Sequence, residues 1–242
     1  MESPDHFPVE QGFRMRGSTM SRIDVFSDVA FGFALVLLVV SLAMPVTSAR
    51  LQNSIPSFVP FVISFVMLLG VWYSHYVFFR RYGLLDRVTV GLNSVLLFLV
   101  LFCVFPLKFL FSAISTYLFR DSSPTWFATT VQINGMLVLY ALGFAAVFFL
   151  VASLYWNAWR LRELLALSGV ERLLTVSSIV DALGMVAIAL IACLASLVIP
   201  SAWSAYIAAI YLLIAPWKLL NTLYFGRKAT NLRNLVAAPN LQ

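Results

Sequence analysis

Long apolar segments with very few charges constrain this chain more than any other feature of its sequence. The first is "RIDVFSDVAFGFALVLLVV" at residues 22–40, and several others of similar length follow it. Crossing a hydrocarbon core of ~30 Å takes roughly 20 helical residues. At 62% hydrophobic and 11% charged residues, a water-soluble fold would expose large apolar patches. Because lipid satisfies no backbone hydrogen bonds, the sequence predicts an all-α, multi-pass membrane protein.

The apolar segments predict six transmembrane helices in one domain spanning residues 22–225. A polar N-terminal segment at 1–21, with four prolines and glycines, is expected to be a flexible cytoplasmic tail, and 226–242 to be a cytoplasmic C-terminal tail. The predicted spans are 22–45, 56–79, 88–117, 126–157, 172–199 and 201–225.

Basic residues are distributed unevenly between the two sides that a six-span arrangement defines. The two tails and the second and fourth connections hold most of them, whereas the opposite side has only Arg50 and Arg120, with Lys108 able to reach towards it. Cytoplasmic loops carry the excess of Lys and Arg, so both termini are predicted to be cytoplasmic. The same distribution explains the net charge of +6 without nucleic acid as a partner.

Polar residues inside the predicted spans share one depth. Asp28, His75, Asn93, Asp181 and Lys218 all fall roughly 6–14 Å inside the predicted cytoplasmic boundary, at 1.5 Å per helical residue. Such a layer indicates hydrogen bonds between helices, and Asp181 with Lys218 is a possible buried ion pair. A proton relay through His75 and Asp28 is the alternative, since histidine titrates near neutral pH.

The sequence contains no recognisable enzyme site. Cys103 and Cys193 lie in apolar segments, His6 lies in the tail, and His75 is isolated from other metal-ligating types. No glycine-rich phosphate loop is present. We therefore expect no cofactor, no metal and no enzymatic activity, with an intramembrane enzyme as a minor alternative.

The first span has two faces on a helical wheel of about 100° per residue. An apolar stripe lies within about 40° of one line, whereas Ser27 and Asp28 lie beyond roughly 120° from it. The stripe suits lipid contact, ordinary packing or an oligomeric neighbour, and periodicity leaves the three open. Its members are Arg22, Phe26, Val29, Phe33, Leu37, Val40 and Met44.

The pattern Arg22-x-x-x-Phe26-Ser27-Asp28 resembles the signature of the transmembrane protein 175 family, the lysosomal and prokaryotic potassium-channel type. The resemblance extends to Trp72 and His75 in "WYSHYVFFRR" and to Asn93 early in the third span. Because the motif occurs once, the chain is similar to the single-repeat prokaryotic form, which implies a location in the bacterial cytoplasmic membrane.

The resemblance implies a homotetrameric, potassium-preferring cation channel whose first helices line a central pore in the lipid bilayer. It makes Phe33, Leu37 and Val40 the pore constriction and places Arg22 and Val36 beside the pore. It also implies an inter-helix network among the motif residues. These are Arg22, Phe26, Ser27, Asp28, Trp72, His75 and Asn93.

Two positions depart from the family pattern and leave the ion open. Family members commonly have a small or aliphatic residue where Phe33 stands, and often threonine where Val36 stands. K⁺ is the expected ion, with Na⁺ or H⁺ as alternatives. A proton-conducting protein or secondary transporter using Asp28, His75 and Asp181 is the rival function, followed by a non-conducting membrane scaffold.

Overall fold

The computed structural model describes residues 7–10, 12–17, 19–40, 48–119, 130–200, 207 and 209–237. Within these ranges, side chains are described except at 48–60, 105–133 and 235–237. The described chain is helical apart from a short N-terminal hairpin, as the apolar composition predicts. Its elements are β1 (Val9–Glu10), β2 (Phe13–Arg14), α1 (Arg22–Val40), α2 (Ser48–Tyr82), α3 (Arg87–Phe119), α4 (Thr130–Arg160), α5 (Gly169–Val198), a 3₁₀ turn (Ile210–Leu213) and α6 (Ile214–Ala237).

Five stretches in the described part of the chain are long and apolar enough to cross a membrane. They are Arg22–Val40, Phe61–Tyr82, Arg87–Val104, Asn134–Arg160 and Gly169–Val198. Each overlaps one of the first five predicted spans, with an end up to three residues beyond the predicted bound in four of them, and the chain is a multi-pass membrane protein. The predicted span ends at 41–45 and 126–129 lie outside the described residues.

The sixth predicted span differs most from the structure. Residues 201–206 lie outside the described residues, and α6 runs Ile214–Ala237, well past the predicted end at 225. The second half of α6 contains "GRKATNLRN", so the helix combines an apolar first half with a charged second half. Hydropathy reports the apolar length of a membrane span and not the end of a helix. The helix therefore runs on into residues 226–237, which the sequence analysis placed in a cytoplasmic C-terminal tail.

The N-terminal segment is packed, and the expectation of a flexible tail is wrong for its described residues. Strands β1 and β2 pair antiparallel, with Val9 opposite Arg14. Phe13 is fully buried, with its ring 5.4 Å from the ring of Tyr82 in an edge contact and 5.1 Å from the Arg81 guanidinium. A buried aromatic residue thus contributes to anchoring a segment whose overall composition is polar.

Gly83 lets the hairpin approach the end of α2. Its φ is +57°, and its N–H donates to the carbonyl of Phe79 over 2.9 Å, which is the usual way a left-handed glycine ends a helix. A Cβ at this position would lie 3.1 Å from the backbone of Arg16. The hairpin therefore lies directly against the α2–α3 turn, immediately before α1 begins.

The core lies between helices, with α4 and α5 forming the most extensive pair and α1 packing on α2 and α3. Small residues on α5 allow the close approach: Ala182, Ala189 and Ala192 are buried, and so is Gly184. A side chain at Gly184 would clash with the indole of Trp217 on α6. Small residues at helix contacts are the usual basis of tight packing in membranes.

Candidate functional site

Helix α1 has one buried face and one exposed face. Ser27, Phe31, Ala34 and Leu38 are buried, at the three-and-four-residue spacing of a single helix face. Phe31 packs against His75 on α2, with ring centroids 5.4 Å apart. This face holds α1 against α2 and α3.

The opposite face of α1 carries most of the stripe that the sequence defined. Phe33 is 57% exposed and Val40 73% exposed, and Val36 between them is 54% exposed. Leu37 differs, because it is half-buried and packs against the main core. Of the three residues predicted to form a constriction, two therefore lie on the open face and the third lies at its margin. Met44 lies outside the described residues.

A capping arrangement accounts for Asp24 at the start of α1. The backbone N–H and the hydroxyl of Ser21 both donate to Asp24 Oδ2 over 2.8 Å, and the Asp24 N–H donates to Ser21 Oγ over 3.2 Å. A reciprocal pair of this kind satisfies donors that helix geometry leaves free. A carboxylate in the first turn is also favoured by the helix dipole.

Asp28, one turn further into the helix, faces α2. Trp72 donates its indole N–H to Asp28 Oδ1 over 2.9 Å. The bond provides a donor for a carboxylate inside an apolar segment, where an unsatisfied charge is expensive. It joins α1 to α2 near one end of both helices.

A second hydrogen-bonded group joins α1, α2 and α3. Asn93 Nδ2 donates to Ser27 Oγ over 2.9 Å, and Ser27 Oγ donates to the Ile23 carbonyl over 2.8 Å. His75 Nε2 lies 2.7 Å from Asn93 Oδ1. Because Asn93 uses its amide N–H on serine, its carbonyl oxygen accepts from the imidazole, which fixes the proton on Nε2. All three side chains are almost completely buried.

The structure thus brings together five of the seven predicted motif residues in two hydrogen-bonded groups. Arg22 and Phe26 do not join them and lie exposed on the open face of α1. Helical geometry explains the separation, because residues four apart share a face whereas Ser27 and Asp28 point elsewhere.

Asp181 and Lys218 pair between α5 and α6, with Lys218 Nζ 2.9 Å from Asp181 Oδ2. The side chains are 24% and 49% exposed, so the expectation of a buried pair is wrong for the single chain. Lys218 lies on an exposed side of α6, so its aliphatic stem is at the surface while its ammonium reaches inwards to Asp181 on α5.

Sequence reasoning missed a buried charge cluster beneath the hairpin. Glu171, at the start of α5, is 1% exposed and accepts from two arginines: Arg14 Nη2 lies 3.0 Å and Arg16 Nη2 lies 3.1 Å from its Oε2. The Ser168 N–H donates to the same carboxylate over 2.7 Å. The pattern Ser168-x-x-Glu171 is a capping-box signal that could have marked this site, but both arginines were assigned to membrane topology alone.

A further cluster caps α3 and joins it to α4. Asp86 accepts from the Val88 and Thr89 N–H groups and from Asn157 Nδ2. Burial raises the pKa of the Asp86 carboxyl, but the hydrogen bonds from Thr89 and Asn157 outweigh it and hold the pKa below its ordinary value. Among the residues that the structure describes, no three His, Cys, Asp or Glu side chains group as metal ligands would.

Comparison with known proteins agrees with this arrangement. A family model described as "Endosomal/lysosomal potassium channel TMEM175" matches residues 22–106. These residues contain α1, α2 and the first part of α3, and with them both hydrogen-bonded groups. A potassium channel from Marivirga tractuosa is 36% identical over 195 residues, which cover 78% of this chain and 79% of that protein. This chain belongs to the TMEM175 family.

Solved TMEM175 structures share its fold. A variant of the potassium channel MtTMEM175, crystallised with a nanobody–MBP fusion, superposes with a TM-score of 0.75 at 33% identity, covering 92% of this chain and 99% of that one. A lysosomal potassium-selective channel TMEM175 homologue from Chamaesiphon minutus gives a TM-score of 0.58 at 24% identity, covering 83% of this chain and 96% of that one, a likeness of fold. The predicted family is confirmed, and it is a family of channels and not of enzymes.

Proposed function

We propose that this TMEM175-family chain is a homotetrameric, potassium-preferring cation channel of the bacterial cytoplasmic membrane, with both termini cytoplasmic. The four α1 helices would line the pore, with Phe33, Leu37 and Val40 forming an apolar constriction beside Val36. The observation that carries the proposal is the orientation of α1, whose polar anchors all lie on one face and leave an apolar face open. Relatives named potassium channels support the choice of ion.

The continuous helix argues for side chains, and not backbone, at the constriction. α1 is helical from Arg22 to Val40, so its carbonyl groups are engaged in i→i+4 hydrogen bonds along the helix. A filter of backbone carbonyls needs groups that are free to replace the ion's hydration shell. Apolar rings instead control conduction by excluding water, and they favour the ion that sheds water more readily. K⁺ holds its water less tightly than Na⁺, so such a constriction prefers K⁺.

Arg22 would lie at the cytoplasmic mouth of this pore. It is exposed at the first residue of α1, on the same face as Phe33. A positive ring there lowers the local cation concentration, since like charge at a mouth repels the permeating ion.

Ion flux through reconstituted vesicles tests the proposal. In vesicles holding the full chain, Phe33→Ala should raise K⁺ flux about tenfold, which corresponds to ~1.4 kcal/mol off the barrier. Phe98→Ala on α3 is the matched control, because Phe98 is 66% exposed but lies on another helix, and it should leave the flux unchanged. Equal effects of the two variants, or a monomer in native mass spectrometry, would contradict the proposal.

The rival proton-conducting or transporter function requires Asp28, His75 and Asp181 to act together. Each of these residues has its own partner: Trp72, Asn93 and Lys218, respectively. We therefore favour the channel. The same vesicles under a proton gradient separate the two functions, because loss of H⁺ movement alone in His75→Ala would favour the rival. If the wild type conducts neither K⁺ nor H⁺, the third alternative, a non-conducting membrane scaffold, is favoured.

A further inference from the structure

A polar cavity lies within the single chain, away from the open face of α1. It has a volume of about 160 Å³ and is bounded by side chains of α2, α4, α5 and α6. At about 30 Å³ per water, it holds roughly five waters, or an ion that keeps part of its hydration. Its polar lining includes Ser74, Tyr155, Ser178, Asp181, Lys218 and Asn221.

Two residues that line this cavity each have a buried side-chain oxygen without a hydrogen-bond partner. These oxygens are Asp181 Oδ1 and Asn221 Oδ1. The orientation of the Asn221 amide is fixed, because its Nδ2 donates to the Ser177 carbonyl over 3.2 Å, an atom that can only accept. Both orphaned atoms are acceptors, and a buried acceptor without a donor or a cation is costly.

The hydroxyl groups around the cavity add to this excess of acceptors. Ser74 donates to the Gly70 carbonyl over 2.9 Å, and Ser178 donates to the Leu174 carbonyl over 3.1 Å. Each serine proton is used within its own helix, so the oxygen lone pairs are what these residues offer to a ligand. Such a lining attracts cations and disfavours anions.

Lys218 supplies the positive charge that the lining needs. Its ammonium pairs with Asp181 Oδ2 at 2.9 Å, while the side chain is 49% exposed. The ammonium bonds one oxygen of the carboxylate, Oδ2, and leaves Oδ1 without a partner. Removing the ammonium would therefore open the carboxylate to another cation.

We propose that this cavity is a binding site for a monovalent metal cation, held by Asp181 and Asn221, for which the Lys218 ammonium competes. A single carboxylate with neutral oxygens suits K⁺ or Na⁺, whereas Ca²⁺ sites draw on several carboxylates and Mg²⁺ is usually held by carboxylates with substrate phosphates. The site is separate from the α1 face on which the proposed pore depends. All of its residues come from one chain. Cation binding at this site can therefore be measured without measuring ion flux through the pore.

Crystals of the full chain grown in RbCl test the site by the anomalous signal of Rb⁺. In Lys218→Met, a peak within the cavity is expected, because the competing ammonium is gone and the carboxylate stays. In the double variant Asp181→Asn/Lys218→Met, which keeps similar side-chain volumes, the peak should be lost. Lys218→Gln provides the same contrast where Lys218→Met does not fold. No cavity peak in the Lys218 variant, or an equal peak in the double variant, overturns the proposal.

Thermal unfolding in detergent gives a second readout. On exchange of N-methylglucamine chloride for KCl at equal ionic strength, the melting temperature of Lys218→Met should rise by about 3 °C or more through cation binding to the folded state. The double variant should show a markedly smaller rise. Both variants keep the α1 face intact, so the difference between them reports the cavity and not the pore. Equal rises would overturn the proposal.

Discussion

Trp72 on α2 donates its indole N–H to the Asp28 carboxylate on α1 over 2.9 Å. One turn earlier, Asp24 Oδ2 accepts from Ser21 within the same helix end. The two carboxylates at the start of the first span therefore have different roles. Asp24 caps α1, and Asp28 fixes the rotation of α1 about the helix axis. With Asp28 and Ser27 turned towards α2 and α3, Phe33 and Val40 are left on the open face.

Trp72→Phe should destabilise the fold by about 1–3 kcal/mol, because the partly buried Asp28 carboxylate loses its indole donor. The phenyl ring keeps much of the apolar contact, so the loss reports mainly the hydrogen bond. The melting temperature in detergent is the measurement. Trp156→Phe is the matched control, since Trp156 is 56% exposed, and it should change little. Equal shifts in both variants would show that the indole N–H is unimportant.

Asn93→Ala should cost about 2 kcal/mol or more, because it removes both the buried acceptor of His75 Nε2 and the donor to Ser27 Oγ. The neighbouring Ser94→Ala removes a hydroxyl that is exposed and bonds only within its helix, so it should be close to neutral. The free energy of unfolding of the two variants, measured with urea in mild detergent, is compared with that of the wild type. A small effect of Asn93→Ala would mean that water replaces the lost amide.

Glu171→Gln should release the N-terminal hairpin, because Arg14 and Arg16 then lose the charge that both contact. Breaking a buried pair by neutralising one partner is costly, since the other charges remain. Trypsin should cleave at these arginines about tenfold faster, in line with a lower free energy of local opening. Glu163→Gln, whose side chain is 80% exposed, is the control. Unchanged cleavage in Glu171→Gln would show that Phe13 alone holds the hairpin.

Asp86→Asn should destabilise the fold at neutral pH and progressively less in acid. The hydrogen bonds of the folded state hold the pKa of Asp86 below its ordinary value. The stabilisation by its charged form is therefore complete above the unfolded pKa and is lost as pH falls through the folded pKa. The difference in melting temperature between wild type and variant should shrink below about pH 4. A difference that is constant with pH would contradict a role for the charge.

Apolar length and charge distribution along the chain were enough to predict helices and the first five spans, because lipid imposes its requirement on each segment separately. The two faces of α1 also followed from sequence, since helical periodicity fixes which residues share a side. Contacts between segments that are distant in the chain could not be predicted from sequence. Phe13 and Glu171 looked unremarkable in sequence, and only tertiary structure brings the hairpin onto α5.

The hydrogen-bond partners of the polar residues inside the spans also could not be predicted from sequence. Sequence placed Asp28, His75, Asn93, Asp181 and Lys218 at one depth, because depth depends only on position along each helix. Which residue bonds to which depends on how the helices are rotated and packed, and packing alone decided that Asp28 meets Trp72 and His75 meets Asn93. The cavity beside Asp181 arises from four helices together. No single segment of the sequence specifies it.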